Sequence, residues 1–178
     1  MNKIKQNKIT FILILAAITI IFSSLTILCL PVLFNYKSKV TILEKNFYNN
    51  FKIYLKSSGD VSYKPFPRPH ILLEKASINL TQPGVIDDLI NTSNLKIFIS
   101  LRDIYLRTFN NLLSTEISKT NLYFNLSDIK KIRNHLYQKI NKPIIFNNCK
   151  IFIYSKEKEV ILISPVKKIS YNINNKSK

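Results

Sequence analysis

Acidic side chains, which carry most acid–base chemistry and many metal sites, are few and scattered in this sequence. Asp and Glu together number 10 in 178 residues. Two of them, Asp87 and Asp88, are adjacent in the sequence and are the one such pair. They follow the turn at Pro83 and Gly84, where solvated carboxylates are common. We therefore interpret the pair as part of an exposed turn.

Histidine and cysteine offer no clearer site. His70 follows Pro69 in an extended segment, His135 lies in a basic stretch, and neither has a cysteine or an acidic cluster beside it. Zinc sites need several such ligands, so we expect no metal. Cys149 is interpreted as a strand residue rather than a nucleophile. Cys29 lies in an apolar segment, which makes an intrachain disulfide implausible.

Glycine is too rare for the loops that cradle phosphate groups. The chain has 2 Gly, and neither a P-loop nor a Gly-x-Ser-x-Gly elbow is present. We therefore predict that the protein is not an enzyme and uses no cofactor. Four arginines could meet lipid phosphates, although single exposed arginines usually meet only water: Arg68, Arg102, Arg107 and Arg133.

The strongly basic composition does not by itself indicate nucleic acid. The formal net charge is +17, but 29 Ile, 23 Lys and 20 Asn against 4 Arg indicate a bias toward A/T-rich codons. The lysines are scattered, without the basic, aromatic-rich blocks of single-strand binders. We expect no nucleic-acid partner, and attraction to anionic lipid headgroups instead.

The elements that must position any site begin with an uncharged segment from Ile9 to Phe34. As a helix it measures roughly 39 Å, more than the roughly 30 Å of a bilayer's hydrocarbon core. We predict a basic cytoplasmic tail at 1–8, a transmembrane helix at 9–35 and a phospholipid membrane as partner. A cleaved signal peptide is the alternative, but the apolar run is long and no small-x-small site closes it.

The orientation of the span is weakly specified by charge. Lysines flank it on both sides, so the positive-inside rule is nearly tied. A short tail before a long domain favours an N-terminus inside the cell.

A second helix is predicted for residues 36–58. Gly59 would end it, and we expect this amphipathic juxtamembrane helix to lie over the domain that follows. A helix flat on the lipid surface is the alternative. Its apolar residues recur at spacings of three and four: Val40, Leu43, Phe47, Phe51 and Tyr54.

Residues 59–178 alternate mostly as strands do. The apolar phase slips by one residue at Glu74 and Lys75, which predicts a bulge or a bend. A helix is expected at 128–140, since Ser127 can cap it and Pro143 can end it. Strands are expected at 71–80, 95–101, 116–126, 144–146, 150–155 and 159–164 and from 169 onward, with a short mixed connection at 101–113.

The predicted hairpin at 150–164 is apolar on both faces. Ile151 and Ile153 point to one side, and Phe152 and Tyr154 point to the other. A sheet with one wet face should alternate more cleanly, so each face needs a cover. The helix at 128–140 can supply one cover, and lipid, a partner or the first amphipathic helix the other. The candidate lining of a lipid groove is Ile97, Ile99, Leu122, Phe124, Ile151, Phe152, Ile153 and Tyr154.

The order of features after the span has a counterpart in a known family. A G-x-V strand, a P-x-P segment and an alternating strand follow the amphipathic helix, and two more strands follow at 95–126. The residues that carry this order are Gly59, Val61, Pro67, Pro69, Ile71, Leu73, Ala76, Ile78 and Leu80. This order, with the segment at 144–153, resembles the start of AsmA-family proteins. The chain departs from the family in its short length and at Asn148, where a Gly is common.

The resemblance implies anchoring in the bacterial inner membrane, a periplasmic and incomplete AsmA-like domain at 59–178, and a role in outer-membrane biogenesis. It also implies bound phospholipid that passes along an apolar sheet groove. A bitopic scaffold that binds other envelope proteins, or a truncated fragment without function, are the alternatives. The expected fold is α+β, with the two N-terminal helices followed by a curved, mostly antiparallel sheet and one covering helix.

Overall fold

The computed structural model describes residues 2–79, 90–126, 129, 133–134, 142–155, 157 and 159–171. Two compact units divide the chain, Met1–Phe34 and Asn35–Lys178.

The first unit is a long apolar helix. Helix α1 (Asn2–Cys29) passes into a 3-10 helix (Leu30–Leu33), a change that accompanies Pro31, which cannot donate a main-chain hydrogen bond. The segment Thr10–Leu33 has a mean hydropathy of 2.7 and is long and apolar enough to cross a membrane. The structure thus supports the predicted N-terminal span in its length and composition.

Hydroxyl groups within this helix are satisfied by its own backbone. The Thr19 hydroxyl donates to the Leu15 carbonyl at 2.9 Å, and the Ser24 hydroxyl donates to the Ile20 carbonyl at 2.8 Å. Such bonds one turn back spare the hydroxyls an unpaired state in hydrocarbon. The polar residues of the segment are therefore compatible with lipid.

The second unit begins with a short 3-10 helix (Lys37–Lys39) and helix α2 (Val40–Phe51). Helix α2 is shorter than the helix predicted at 36–58. Lys52 adopts a left-handed conformation with φ 56° and ends it, and the chain then enters a strand at Tyr54. The predicted apolar face is otherwise correct, since Leu43, Phe47 and Phe51 are all buried.

The rest of the unit is a curled mixed sheet that forms a half-barrel, so the predicted α+β class with a curved sheet is confirmed. Its strand order is β1-β4-β5-β8-β9-β7-β6-β3-β2, with β10 on β9. Helix α3 (Leu101–Leu106) lies in the predicted short connection. The strands are β1 (Tyr54–Ser57), β2 (Val61–Lys64), β3 (His70–Leu73), β4 (Ala76–Asn79), β5 (Ile90–Thr92), β6 (Leu95–Ile99), β7 (Leu112–Ser118), β8 (Asn121–Asn125), β9 (Ile144–Tyr154) and β10 (Val160–Tyr171).

Many consecutive strands of this sheet are two parts of one longer strand, which is interrupted by a short break. The breaks of neighbouring strands lie beside one another across the sheet. The predicted slip at Glu74 and Lys75 is the break between β3 and β4. Strands β5 and β6 break at 93–94, and β7 and β8 break at 119–120. We call this line of breaks the kink row. Because each break shifts the alternation by one residue, one face stays apolar on both sides of it.

Strand β9 crosses the kink row without a break. Its first part pairs with β7 and its second part with β8, both in parallel, while β10 pairs with its other edge in antiparallel. Asn148, with φ 50°, lies between the two parallel segments. The strands predicted at 144–146 and 150–155 are therefore one strand, and an Asn occupies the left-handed position that Gly would tolerate best.

The core of the unit lies between the sheet and the segments before it. Ile71, Leu73, Leu95 and Ile97 are fully enclosed on one face of the sheet. Tyr36 covers that face, with its ring 6.4 Å from the ring of Tyr63. Helix α2 packs beside it against β1 and β7.

The helix predicted at 128–140 lies largely outside the described residues. Within that stretch the structure describes Ile129, Arg133 and Asn134, each helical and exposed, with Ile129 at 36%. The covering helix among the described residues is α2.

Candidate functional site

The parallel pairing of β8 with β9 decides which apolar residues share a face. Leu122 lies opposite Ile151, and Phe124 lies opposite Ile153. Strand β10 continues the second row, because Leu162 lies opposite Ile153. We call Phe124, Ile151, Ile153 and Leu162 the apolar strip.

The apolar strip continues a row of buried side chains. Leu55, Ile78, Ile90 and Leu122 lie side by side on four neighbouring strands and are 3–5% exposed. On the next strand Ile151 is only half-buried. Among the described residues, burial on this face therefore decreases after β8, and the apolar surface continues past it to β9 and β10.

Exposure increases further toward the tip of β10. Val160, Ile161, Leu162 and Ile163 are 48%, 54%, 50% and 56% exposed. Four consecutive large apolar residues at a strand end form an unusually continuous apolar surface for a water-facing edge. Among the described residues, this end of β10 is thus apolar and exposed on both faces of the sheet.

The opposite face of the hairpin carries an aromatic group. The Tyr123 ring stacks on Phe152 with centroids 5.2 Å apart, and its centroid is 6.1 Å from that of Tyr154. These three rings pack against one another, so this face of the hairpin is partly covered by its own side chains. The predicted groove residues are therefore divided, with Ile151 and Ile153 on the strip and Phe152 and Tyr154 behind it.

Three of the predicted groove residues are enclosed by the protein, and one of them is Leu122 in β8, which is 3% exposed. Ile97 is 0% exposed and Ile99 is 2% exposed, both in β6 on the far side of the kink row. In this conformation neither has surface left for a ligand. Leu162 was not among the predicted groove residues. It belongs to the exposed apolar surface because the register of β9 and β10 places it opposite Ile153.

Charged groups are absent from the described part of the strip, so it can hold hydrocarbon but cannot itself perform acid–base chemistry. One carboxylate with several partners lies elsewhere, on the outer face of β7. Glu116 accepts hydrogen bonds from Asn147 at 2.8 Å and Ser118 at 3.0 Å, and it pairs with Lys96 at 3.3 Å. Burial raises the pKa of Glu116, but these hydrogen bonds and the nearby ammonium outweigh it and leave the pKa lowered. We interpret Glu116 as a structural ion pair.

Histidine, cysteine and carboxylate side chains do not gather into a metal-binding group in the described part of the chain. The Nδ1 atom of His70 instead lies 2.7 Å from the carbonyl oxygen of Arg68, within hydrogen-bond distance, and the ring packs against Phe98. Cys149 is a buried strand residue whose Sγ lies 3.6 Å from the Ile117 carbonyl oxygen. Asp87, Asp88 and His135 lie outside the described residues.

Comparisons with models of protein families, with curated proteins and with solved structures found no match for this chain.

Proposed function

We propose that this chain is a membrane-anchored lipid-binding protein whose apolar strip holds the acyl chains of phospholipid. The observation that carries the proposal is the strip itself. The row from Leu55 to Leu122 is 3–5% exposed, its neighbours Ile151 and Ile153 in β9 are partly exposed, and Leu162 in β10 is 50% exposed. An acyl chain laid along Ile151, Ile153 and Leu162 would remove that surface from water, at about 0.8 kcal/mol for each buried CH₂.

The apolar segment Thr10–Leu33 suggests that the membrane itself is the source of this lipid. A chain held at a membrane by such a helix encounters phospholipid without diffusing to find it. The resemblance to the start of AsmA-family proteins points the same way. On that basis we assign the chain to the bacterial inner membrane, with the domain in the periplasm and a role in building the outer envelope.

The experiment compares two neighbouring residues on opposite faces of β9. The full chain is purified in mild detergent as wild type, Ile153→Asp and Phe152→Asp, and copurified phospholipid is measured by mass spectrometry. We expect Ile153→Asp to lose most of its lipid while circular dichroism shows a folded domain, because a carboxylate in the strip must be desolvated. Phe152→Asp should keep its lipid. Equal lipid in all three proteins would contradict the proposal.

The cellular compartment of the domain is tested in a separate experiment from its ligand. Protease added to spheroplasts should digest the domain if it is periplasmic. Protection until the membrane is broken would place the domain in the cytoplasm.

A second function is favoured by one observation, the free edge of β10. Among the described strands β10 pairs only with β9, so its other edge could accept a strand from another envelope protein. Pro165, in the middle of this edge, limits the length of such pairing. A stoichiometric protein partner with no bound lipid would favour this scaffold function over the first.

A further inference from the structure

The outer face of the sheet, opposite the apolar strip, carries an open depression of about 690 Å³ at the kink row. It spans β1, β4, β5 and β8, and most of its lining is polar. The lining residues are Lys56, Ser58, Lys75, Ala76, Ser77, Asn91, Thr92, Ser93, Lys119, Thr120, Asn121 and Tyr123.

Three lysines from distant parts of the chain meet in this depression, and no carboxylate lines it among the described residues. The two salt bridges found in the described part of the protein, Lys37–Asp60 and Lys96–Glu116, involve none of these lysines. The three lysines carry like charges at the edge of one open space, and an anion bound there would be attracted to each of them.

Backbone geometry at the kink row brings the lysines together. A Cβ on Gly59 would lie 2.9 Å from the backbone nitrogen of Lys75, so only glycine allows the two segments to cross this closely. Lys119 holds a left-handed conformation with φ 53°, which is unfavourable for a side chain of its type. The breaks in the strands therefore place Lys75 and Lys119 at the rim of the same depression.

The remaining donors suit an oxygen-rich anion. Hydroxyls of Ser58, Ser77 and Ser93 and the amides of Asn91 and Asn121 line the depression between the lysines. Lysines bind phosphate as point charges, and neutral hydroxyl and amide donors complete the contacts. The volume exceeds that needed for a bare ion and lies in the range of sites for small organic ligands.

We propose that this depression binds a phosphate monoester or the headgroup of an anionic phospholipid, with its phosphoryl oxygens on Lys56, Lys75 and Lys119. The organic part of the ligand lies toward Tyr123, which lines the depression and stacks on Phe152 of the neighbouring strand. This site is on the face opposite the apolar strip and does not depend on lipid binding there.

The test uses the full chain and two probes. Glycerol 3-phosphate is titrated by calorimetry into the protein in neutral phosphatidylcholine nanodiscs. Dilauroyl phosphatidic acid is measured by native mass spectrometry of the protein in detergent. The variant carries Lys56→Gln, Lys75→Gln and Lys119→Gln. Its matched control carries Lys45→Gln, Lys64→Gln and Lys168→Gln, three exposed lysines outside the depression, and so has the same net charge.

We expect the variant to bind at least about tenfold more weakly than wild type, and the control to change less than about twofold. Binding of glycerol 3-phosphate alone identifies a soluble phosphate ester, and binding of phosphatidic acid alone identifies a lipid headgroup. Either result supports the site. Wild type that binds neither probe, or a control that weakens as much as the variant, overturns it. Ile153→Asp should leave this binding unchanged, so failure of the lipid strip and failure of this site are distinguishable.

Discussion

Replacing Gly59 with alanine tests whether the crossing at the kink row is as close as the structure shows. The added Cβ would lie 2.9 Å from the Lys75 nitrogen and 3.0 Å from the Lys75 Cβ. The backbone of residue 75 cannot simply move away. Ser58 donates to the Lys75 carbonyl at 3.0 Å, and Glu74 donates to the Asp60 carbonyl at 3.1 Å, so two hydrogen bonds tie the segments together at this point.

The magnitude follows from those two bonds and the overlap. Separating the segments enough for a methyl group weakens both bonds, each of which contributes about 1 kcal/mol. Forcing the methyl group in without separation costs a similar amount, about 1–3 kcal/mol. We therefore expect Gly59→Ala to destabilise the domain by about 2 kcal/mol, which lowers Tm by about 5–10 °C.

The assay is thermal unfolding of the full chain in detergent, followed by tyrosine fluorescence because the chain has no Trp. Ser58→Ala is the matched control, since Ser58 is exposed and already carries a Cβ atom, so that no atom is added. A Gly59→Ala protein that unfolds within about 1 °C of wild type would refute the reasoning, because the added methyl group would then have found space.

Two further predictions concern pH and anchoring. Burial lowers the pKa of His70, with a smaller lowering from Lys96, so the unfolded chain binds this proton more readily than the folded one. Stability is then fully present above the usual pKa of about 6.5 and falls as the pH drops below that value. Denaturation at several pH values should show that His70→Gln makes the stability of the domain less dependent on pH in this range. The pKa values of Asp103 and Glu116 are lowered, so the stability that these carboxylates contribute is lost only at more acidic pH. Separately, the full chain should resist alkaline carbonate extraction, and a chain beginning at Lys37 should not; release of the full chain would exclude Thr10–Leu33 as an anchor.

Hydrophobic alternation predicted the sheet well where one strand face is buried. Ile71 and Leu73, then Ala76 and Ile78, show the one-residue slip in the sequence itself, and the structure breaks the strand there. Short-range patterns carry this information because a strand's side chains alternate with a period of two. The α+β class followed from such patterns, together with the long apolar helix and the amphipathic face of α2.

Local sequence patterns gave wrong predictions in two situations. In one, a residue fits both the helical and the strand spacing, and in the other the strand pairing joins distant parts of the chain. Tyr54 continues the helical spacing of Phe47 and Phe51, yet it begins β1, because Lys52 turns the chain before it. Strand β9 seemed to be two strands, because Asn148 interrupts its alternation. Its continuity depends on parallel pairing with β7 and β8, which no local pattern encodes.

The two proposed sites have one structural origin. A slip in the alternation keeps apolar residues on the inner face on both sides of the kink row, which extends that face from Ile97 to Ile151 and the strip. The same slip forces the residues at each break outward, and there they are mostly polar, among them Lys75 and Lys119. The depression lies on β1, β4, β5 and β8, and the strip lies on the opposite face of β8, β9 and β10. One phospholipid therefore cannot lay its acyl chains on the strip and its phosphate in the depression. Two ligands must therefore bind independently, and occupancy of one site should leave the affinity of the other unchanged.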